Sequence, residues 1–231
     1  MHNSSVPLYN TIKRVFDVVF ASILIILLSP LLVIIYTVIF FETGMNPVFT
    51  QQRGIVLERP RFKIYKFRTL RSNCLLNNIN QHEIFLKDNL IEAVTVTGYI
   101  LRKAGLDELP QLINILRGEM SFIGPRPLSI DDLIILKKSE PLYYERRSEI
   151  LSRPGISGYW QIFGCRLSGT KNLVECEEEY EKAKSFSFDI FLILMTIPII
   201  LFGKHYDSII NGQIKKIRVP QYLINYQKRE G

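Results

Sequence analysis

The sequence predicts a mostly helical α+β fold carried on an N-terminal membrane anchor. Three observations point there: an uncharged run at 18–41 interrupted by Ser29-Pro30, two short β-type runs around a turn, and an apolar stripe at helical spacing further along. The uncharged run has 24 residues, enough for a spanning helix. Proline at its centre removes a backbone hydrogen bond and crowds the carbonyl of Ile26, so a kink or break is expected there. Each half of 12 residues is only about 18 Å long and cannot cross a hydrocarbon core of about 30 Å. Two readings follow: a kinked spanning helix, or a re-entrant helix-break-helix hairpin with Ser29 and Pro30 at the membrane break. Lys13 and Arg14 precede the run, and the chain from Glu42 onward holds 27 basic and 21 acidic residues. Positive charge favours the cytoplasmic side, and only the hairpin keeps both flanks there. Asp17, at the entry, reads as a cap or ion-pair partner for Lys13 and Arg14.

Val48-Phe49-Thr50-Gln51-Gln52 and Phe62-Lys63-Ile64-Tyr65-Lys66-Phe67 read as strands, with Arg53-Gly54 and Glu58-Arg59-Pro60 as turn signals between them. A short β-hairpin is expected. Residues 71–95 carry little periodicity and read as a loop with a short helix. Leu109, Leu112, Ile113 and Leu116 then form an amphipathic stripe. Asp107 stands at the N-cap of that predicted helix, and Gly118 ends it. A second amphipathic helix is expected over 129–138, and a charged helix over 175–184. Residues 153–158 form a glycine-containing turn. The apolar run 190–202 is too short to span comfortably and is expected to lie in the membrane interface or pack on the first segment.

Composition narrows the chemistry. The net charge is +7, which suits phospholipid headgroups or nucleotides. Nucleic acid is not expected, because the basic residues are dispersed and no binding motif accompanies them. Cys74, Cys165 and Cys176 are isolated, as in reduced cytosolic thiols. His2, His82 and His205 lie far apart in sequence, so a zinc site is not expected. No phosphate-binding glycine loop or dinucleotide fingerprint occurs.

The most informative stretch is Leu106-Asp107-Glu108-Leu109-Pro110-Gln111. A carboxylate at a helix start is held ionised by free N–H groups and the helix dipole. Asp107 is thus a candidate nucleophile toward phosphorus, and Glu108 a candidate magnesium ligand. Arg102, Lys103 and Arg126 are candidates to neutralise phosphoryl oxygens, as are Lys66 and Arg68 on the second strand. The alternative is structural: Asp at a helix start often serves as a cap, and the arginines can be ordinary loop or surface groups.

Several motifs occur in a characteristic order: Lys13-Arg14-Val15-Phe16-Asp17, Ser29-Pro30, Lys63-Ile64-Tyr65-Lys66-Phe67-Arg68-Thr69, Leu101-Arg102, the acidic stretch, Asn114, Gly118-Glu119-Met120-Ser121-Phe122-Ile123-Gly124-Pro125-Arg126-Pro127, Arg153-Pro154-Gly155-Ile156-Ser157-Gly158 and Trp160-Gln161. Together they resemble the monotopic polyprenol-phosphate phosphoglycosyltransferases, or bacterial sugar transferases. That resemblance implies transfer of a phospho-sugar from a UDP-sugar to polyprenol phosphate with release of UMP. It implies Asp107 as nucleophile in a covalent intermediate and Glu108 as the ligand of Mg2+. It implies the re-entrant anchor, a contact from Arg102 to the lipid phosphate, and nucleotide or phosphate contacts from Arg126 and the turn holding Arg153 and Gly155. The implied location is the cytoplasmic face of the bacterial inner membrane. Membrane lipids are expected partners; a homodimer and downstream glycosyltransferases are further candidates.

Asn46 stands where relatives often have glycine, Tyr159-Trp160-Gln161 replaces Trp-Ala-Gln, and Glu177 occupies a usual aspartate position. These departures bear on sugar or lipid preference. Only 17 residues precede the apolar run, so the long variants with extra spanning helices are not expected. The expected organisation is an anchor at 1–42, a catalytic domain at 43–203 and a basic tail at 204–231. The competing reading is a membrane-anchored, inactive nucleotide-sugar-binding or scaffold protein, against which the intact acidic pair argues.

Overall fold

The structure is a computed structural model and describes residues 5–71, 93–165 and 168–201. Cys74, the three histidines and the basic tail lie outside the described residues, as does most of the expected 71–95 loop.

Helix α1 spans Ser5–Thr43. It is helical through Pro30, so the expected break is not a non-helical interruption. The reason lies next door. Ser29 Oγ donates to Ile26 O at 2.8 Å, the carbonyl that loses its helical partner to Pro30. The exposure of α1 changes along its length. Ala21, Ile35 and Ile39 are buried, whereas Ile26 and Leu27 near the proline are 75% and 69% exposed. Val15, Ile23, Val33 and Phe41 are exposed as well, while Leu24, Ile25, Leu31 and Leu32 pack on the core clusters. Helix α1 thus rests on the remainder of the chain along one side and leaves the other side, near Pro30 above all, apolar and exposed.

The β-hairpin forms as the alternation predicts. Strand β1 (Val48–Gly54) pairs antiparallel with β2 (Phe62–Phe67) in a register from Val48↔Phe67 to Arg53↔Phe62. The far edge of β2 is covered by one side chain. Asn114 Oδ1 accepts from Tyr65 N at 3.1 Å, and its Nδ2 donates to Lys63 O at 2.7 Å. Such capping removes an open strand edge. A short strand β4 (Leu128–Ser129) extends the sheet on the other side of β1.

Helix α2 (Val96–Ala104) ends at Gly105, whose φ of 65° lies in the left-handed region that favours glycine. A 3₁₀ segment, Leu106–Gln111, and then α3 (Leu112–Arg117) follow. Asp107 is accordingly not an N-cap: Gly105 holds that position, with no side-chain capping bond. The predicted stripe is also out of phase. Leu112 is buried, but Ile113 and Leu116 are exposed, and Ile115 is buried in their place.

Strand β3 (Ser121–Ile123) lies parallel to β5 (Gly155–Ser157), so the expected glycine turn contains a strand. A Cβ on Gly155 would stand 2.2 Å from Gly124 N, which is why bare backbone is needed there. Helix α4 (Ile130–Ser139) is capped by Ser129, whose hydroxyl accepts from Asp132 N at 3.1 Å. Then come α5 (Pro141–Ser148), α6 (Tyr159–Phe163), α7 (Gly169–Ala183) and α8 (Phe186–Leu201).

Helix α8 packs on α1, one of its two expected positions. Lys13 Nζ donates to Asp189 Oδ2, Tyr9 OH to the same oxygen at 2.8 Å, and Tyr180 OH to Oδ1 at 2.8 Å. The expectation for Asp17 holds in part: Lys13 acts on its carboxyl electrostatically, without a direct ion pair. Its Oδ1 instead accepts from Phe122 N at 3.3 Å, while Arg14 donates to the Ile115 and Leu116 carbonyls at the end of α3. Lys13 finds its carboxylate on α8 because that helix crosses the same face of α1.

Candidate active site

The site begins with the geometry of Leu106–Gln111. Glu108 N donates to Gly105 O at 3.3 Å, an i→i+3 bond. Pro110 lies inside this tighter helix, which runs to Gln111 before α3 begins. In a 3₁₀ helix, residues i and i+3 eclipse. The six residues thereby sort onto three faces. Leu106 and Leu109 pack against the apolar cluster of Ile35, Ile39, Phe67 and Leu101. Glu108 and Gln111 share a second face, and both are buried. Asp107 shares the third with Pro110 and is half-buried.

Glu108 and Gln111 open onto a cleft. Its other walls include Arg53 from β1, Lys66 from β2, Arg126 and Pro127 from the loop after β3, Gly155 from β5, and Gln161 from α6. Four of the residues singled out in the sequence thus meet there: Lys66, Glu108, Arg126 and Gly155. The lining carries three cationic side chains and one carboxylate, a balance that attracts a polyanion. Lys66 Nζ donates to Glu108 Oε1.

The remaining predicted residues sit elsewhere. Asp107 is adjacent to the cleft on the neighbouring face of the 3₁₀ turn. Arg68 Nε donates to Asn46 O and Arg102 Nε to Thr69 Oγ1, each at 2.8 Å. Arg153 is exposed beside β5.

Arg126 is held from several sides. Its guanidinium lies 5.5 Å from the Trp160 ring centroid, within cation–π range. Its backbone N donates to Glu177 Oε1 at 2.8 Å, and its carbonyl accepts from Arg147 Nη2. Arg147 and Glu177 are themselves paired, Nε to Oε2 at 2.8 Å. Sequence reading missed these two roles, along with Arg53, Gln111 and Gln161 as cleft residues. For Gln111 a signal existed: it stands three residues after Glu108 with a proline between, the spacing that a 3₁₀ turn eclipses.

Among the described residues no group of three His, Cys, Asp or Glu side chains is placed to hold a metal ion. A protein-only cation cage does not fit this site. Magnesium that takes a single protein carboxylate and fills its shell with water and substrate phosphates fits Glu108, which lines the cleft.

Residues 8–203 match the model of the bacterial sugar transferase family. The chain is 36% identical over 208 residues to the exopolysaccharide production protein ExoY of Rhizobium meliloti, covering 86% of this chain and 89% of that protein. It is 36% identical over 197 residues to a UDP-glucose:undecaprenyl-phosphate glucose-1-phosphate transferase of Caulobacter vibrioides, covering 82% and 69%. A third relative, the UDP-N-acetylgalactosamine-undecaprenyl-phosphate N-acetylgalactosaminephosphotransferase of Aeromonas hydrophila, is 34% identical over 200 residues, covering 85% and 45%.

Proposed function

The chain belongs to the bacterial sugar transferase family, and from that premise we propose that it moves a phospho-sugar from a UDP-sugar to polyprenol phosphate, releasing UMP. The observation that carries the reading is the division of the 3₁₀ turn: Glu108 faces a cation-lined cleft while Asp107 stands beside it, half-buried. The printed activities of the Caulobacter and Aeromonas relatives supply the substrate classes.

The chemistry proceeds in two displacements. A carboxylate oxygen of Asp107 attacks the β-phosphorus of the UDP-sugar. The bond from that phosphorus to the bridging oxygen breaks, and UMP leaves with the electron pair. Asp107 now carries the phospho-sugar as an acyl phosphate. A phosphate oxygen of the polyprenol phosphate then attacks the same phosphorus, and the acyl-phosphate bond breaks. Asp107 is regenerated and the product is polyprenyl-diphosphate-sugar. Lys66 and Arg126 hold the diphosphate by charge-assisted contacts. Glu108 would hold magnesium, which when bound neutralises phosphoryl charge.

A lipid acceptor requires the nucleophile at headgroup depth. Arg14 and Glu42 lie about 42 Å apart along a straight helix. Yet Arg14 donates to α3 carbonyls, and Glu42 Oε1 accepts from Val96 N at the start of α2 at 3.0 Å. Both ends of α1 thus bind the segment that carries Asp107. This supports a re-entrant anchor, with the exposed apolar residues near Pro30 buried in lipid and both ends on the cytoplasmic face of the inner membrane. UMP release across a panel of UDP-sugars, with polyprenol phosphate and magnesium, tests the reading. Turnover with one or a few donors is expected; no turnover across the panel contradicts it.

A further inference from the structure

Gln111 is the least explained group in the cleft. It is 2% exposed, and its side-chain Nε2 has no hydrogen-bond partner among the described residues. A buried amide donor without an acceptor costs about 1–3 kcal/mol, so such groups are uncommon unless something else meets them. Its neighbours indicate what that is. Gln111 eclipses Glu108 on the 3₁₀ turn and lines the cleft with Arg53, Lys66 and Arg126. An Nε2 group only donates, so its partner must be an acceptor, and the three cations select an anionic one.

We infer that Gln111 is a substrate-binding residue whose side-chain amide donates to a phosphoryl oxygen of the diphosphate held in the cleft. The ligand class is a diphosphate. The inference rests on the proposed UDP-sugar reading for the identity of that diphosphate, but not for the contact itself. The rival account is structural: the amide turns slightly to meet a nearby carbonyl and touches no ligand. The two accounts differ in what substitution does to binding. A structural amide affects stability alone, whereas a phosphoryl donor affects ligand affinity at unchanged stability.

The test uses the full chain in detergent micelles, with calorimetric binding of UDP and, separately, of inorganic pyrophosphate, each with magnesium. Gln111→Met keeps the length and apolar stem but removes the donor. A hydrogen bond to a charged group is worth about 1.5–3 kcal/mol, so affinity for both probes should fall about 10- to 100-fold, with the melting temperature retained. Affinity within twofold of the unaltered chain overturns the inference. Where Gln111→Met melts early, Gln111→Leu repeats the test without adding charge: at least a tenfold loss supports the contact, and unaltered affinity overturns it. If the unaltered chain binds pyrophosphate through Gln111 but neither binds UDP nor turns over any UDP-sugar, the contact stands and the donor reading fails. If it binds neither probe, both fail.

Discussion

Arg147 and Glu177 form a buried ion pair that grips the Arg126 peptide at both of its polar atoms. Glu177 Oε1 accepts the Arg126 N–H at 2.8 Å, and Arg147 donates to the Arg126 carbonyl as well as to Ile55 O at 2.9 Å. The pair joins α5 to α7 and fixes the backbone from which Arg126 reaches the cleft. Glu177 is thus paired with a specific arginine.

Removing one partner leaves the other charge buried. Arg147→Met should cost about 3–5 kcal/mol of stability, read from urea unfolding of the full chain in micelles. Replacing both partners, with Arg147→Met and Glu177→Leu, should recover part of that loss, because the uncompensated charge is then gone. A single variant as stable as the parent contradicts the role of the pair.

A second ion pair gives stability a pH dependence. The Lys137 ammonium and then the Tyr144 hydroxyl, both donating to Glu58, hold its carboxyl at about 2, below the ordinary 4.5. A depressed carboxyl contributes stability that is present above the unfolded pKa and lost as pH falls through the folded one. The contribution should therefore disappear between about pH 4.5 and about pH 2. Glu58→Gln should remove that part of the acid slope, read from the fluorescence of Trp160, the single tryptophan. An identical acid slope in both proteins contradicts the assignment.

Topology can be tested by labelling. With the native cysteines replaced, Val6→Cys and Pro60→Cys should react with an impermeant maleimide from the same side of the membrane. Labelling from opposite faces contradicts the re-entrant anchor and restores a spanning helix kinked at Pro30.

The metal assignment can fail independently. Glu108→Gln should depress turnover and shift its magnesium dependence to higher concentration by at least tenfold, measured by UMP release. An unchanged magnesium response contradicts the ligand role of Glu108.

Local patterns were legible in the sequence, and long-range partners were not. The β1–β2 hairpin follows from alternation in Phe62–Phe67 and the turn residues before it, and α4 follows from Ser129 and the run behind it. The acidic pair reads in the sequence as a helix start, but of an α-helix with Asp107 as cap. The stripe Leu109, Leu112, Ile113 and Leu116 satisfies an α-helical period, and it hides the left-handed Gly105 and the 3₁₀ turn that follows it. That difference in pitch sets Glu108 and Gln111 on one face and Asp107 on another. The local pattern sets Asp17 beside Lys13 and Arg14, whereas Lys13 donates to Asp189, 176 residues away. Arg53 lines the cleft beside Pro127, whose carbonyl accepts from it at 3.1 Å, and no local pattern encodes a contact across 74 residues.

The central claim is that Asp107 carries the phospho-sugar between donor and lipid. It is tested most directly by mass spectrometry of the full chain mixed with its UDP-sugar and magnesium, without polyprenol phosphate. The account predicts a phospho-sugar adduct on the peptide containing Asp107, released on addition of polyprenol phosphate, and neither adduct nor UMP from Asp107→Asn. An adduct on another residue, or full UMP release by Asp107→Asn, would contradict it.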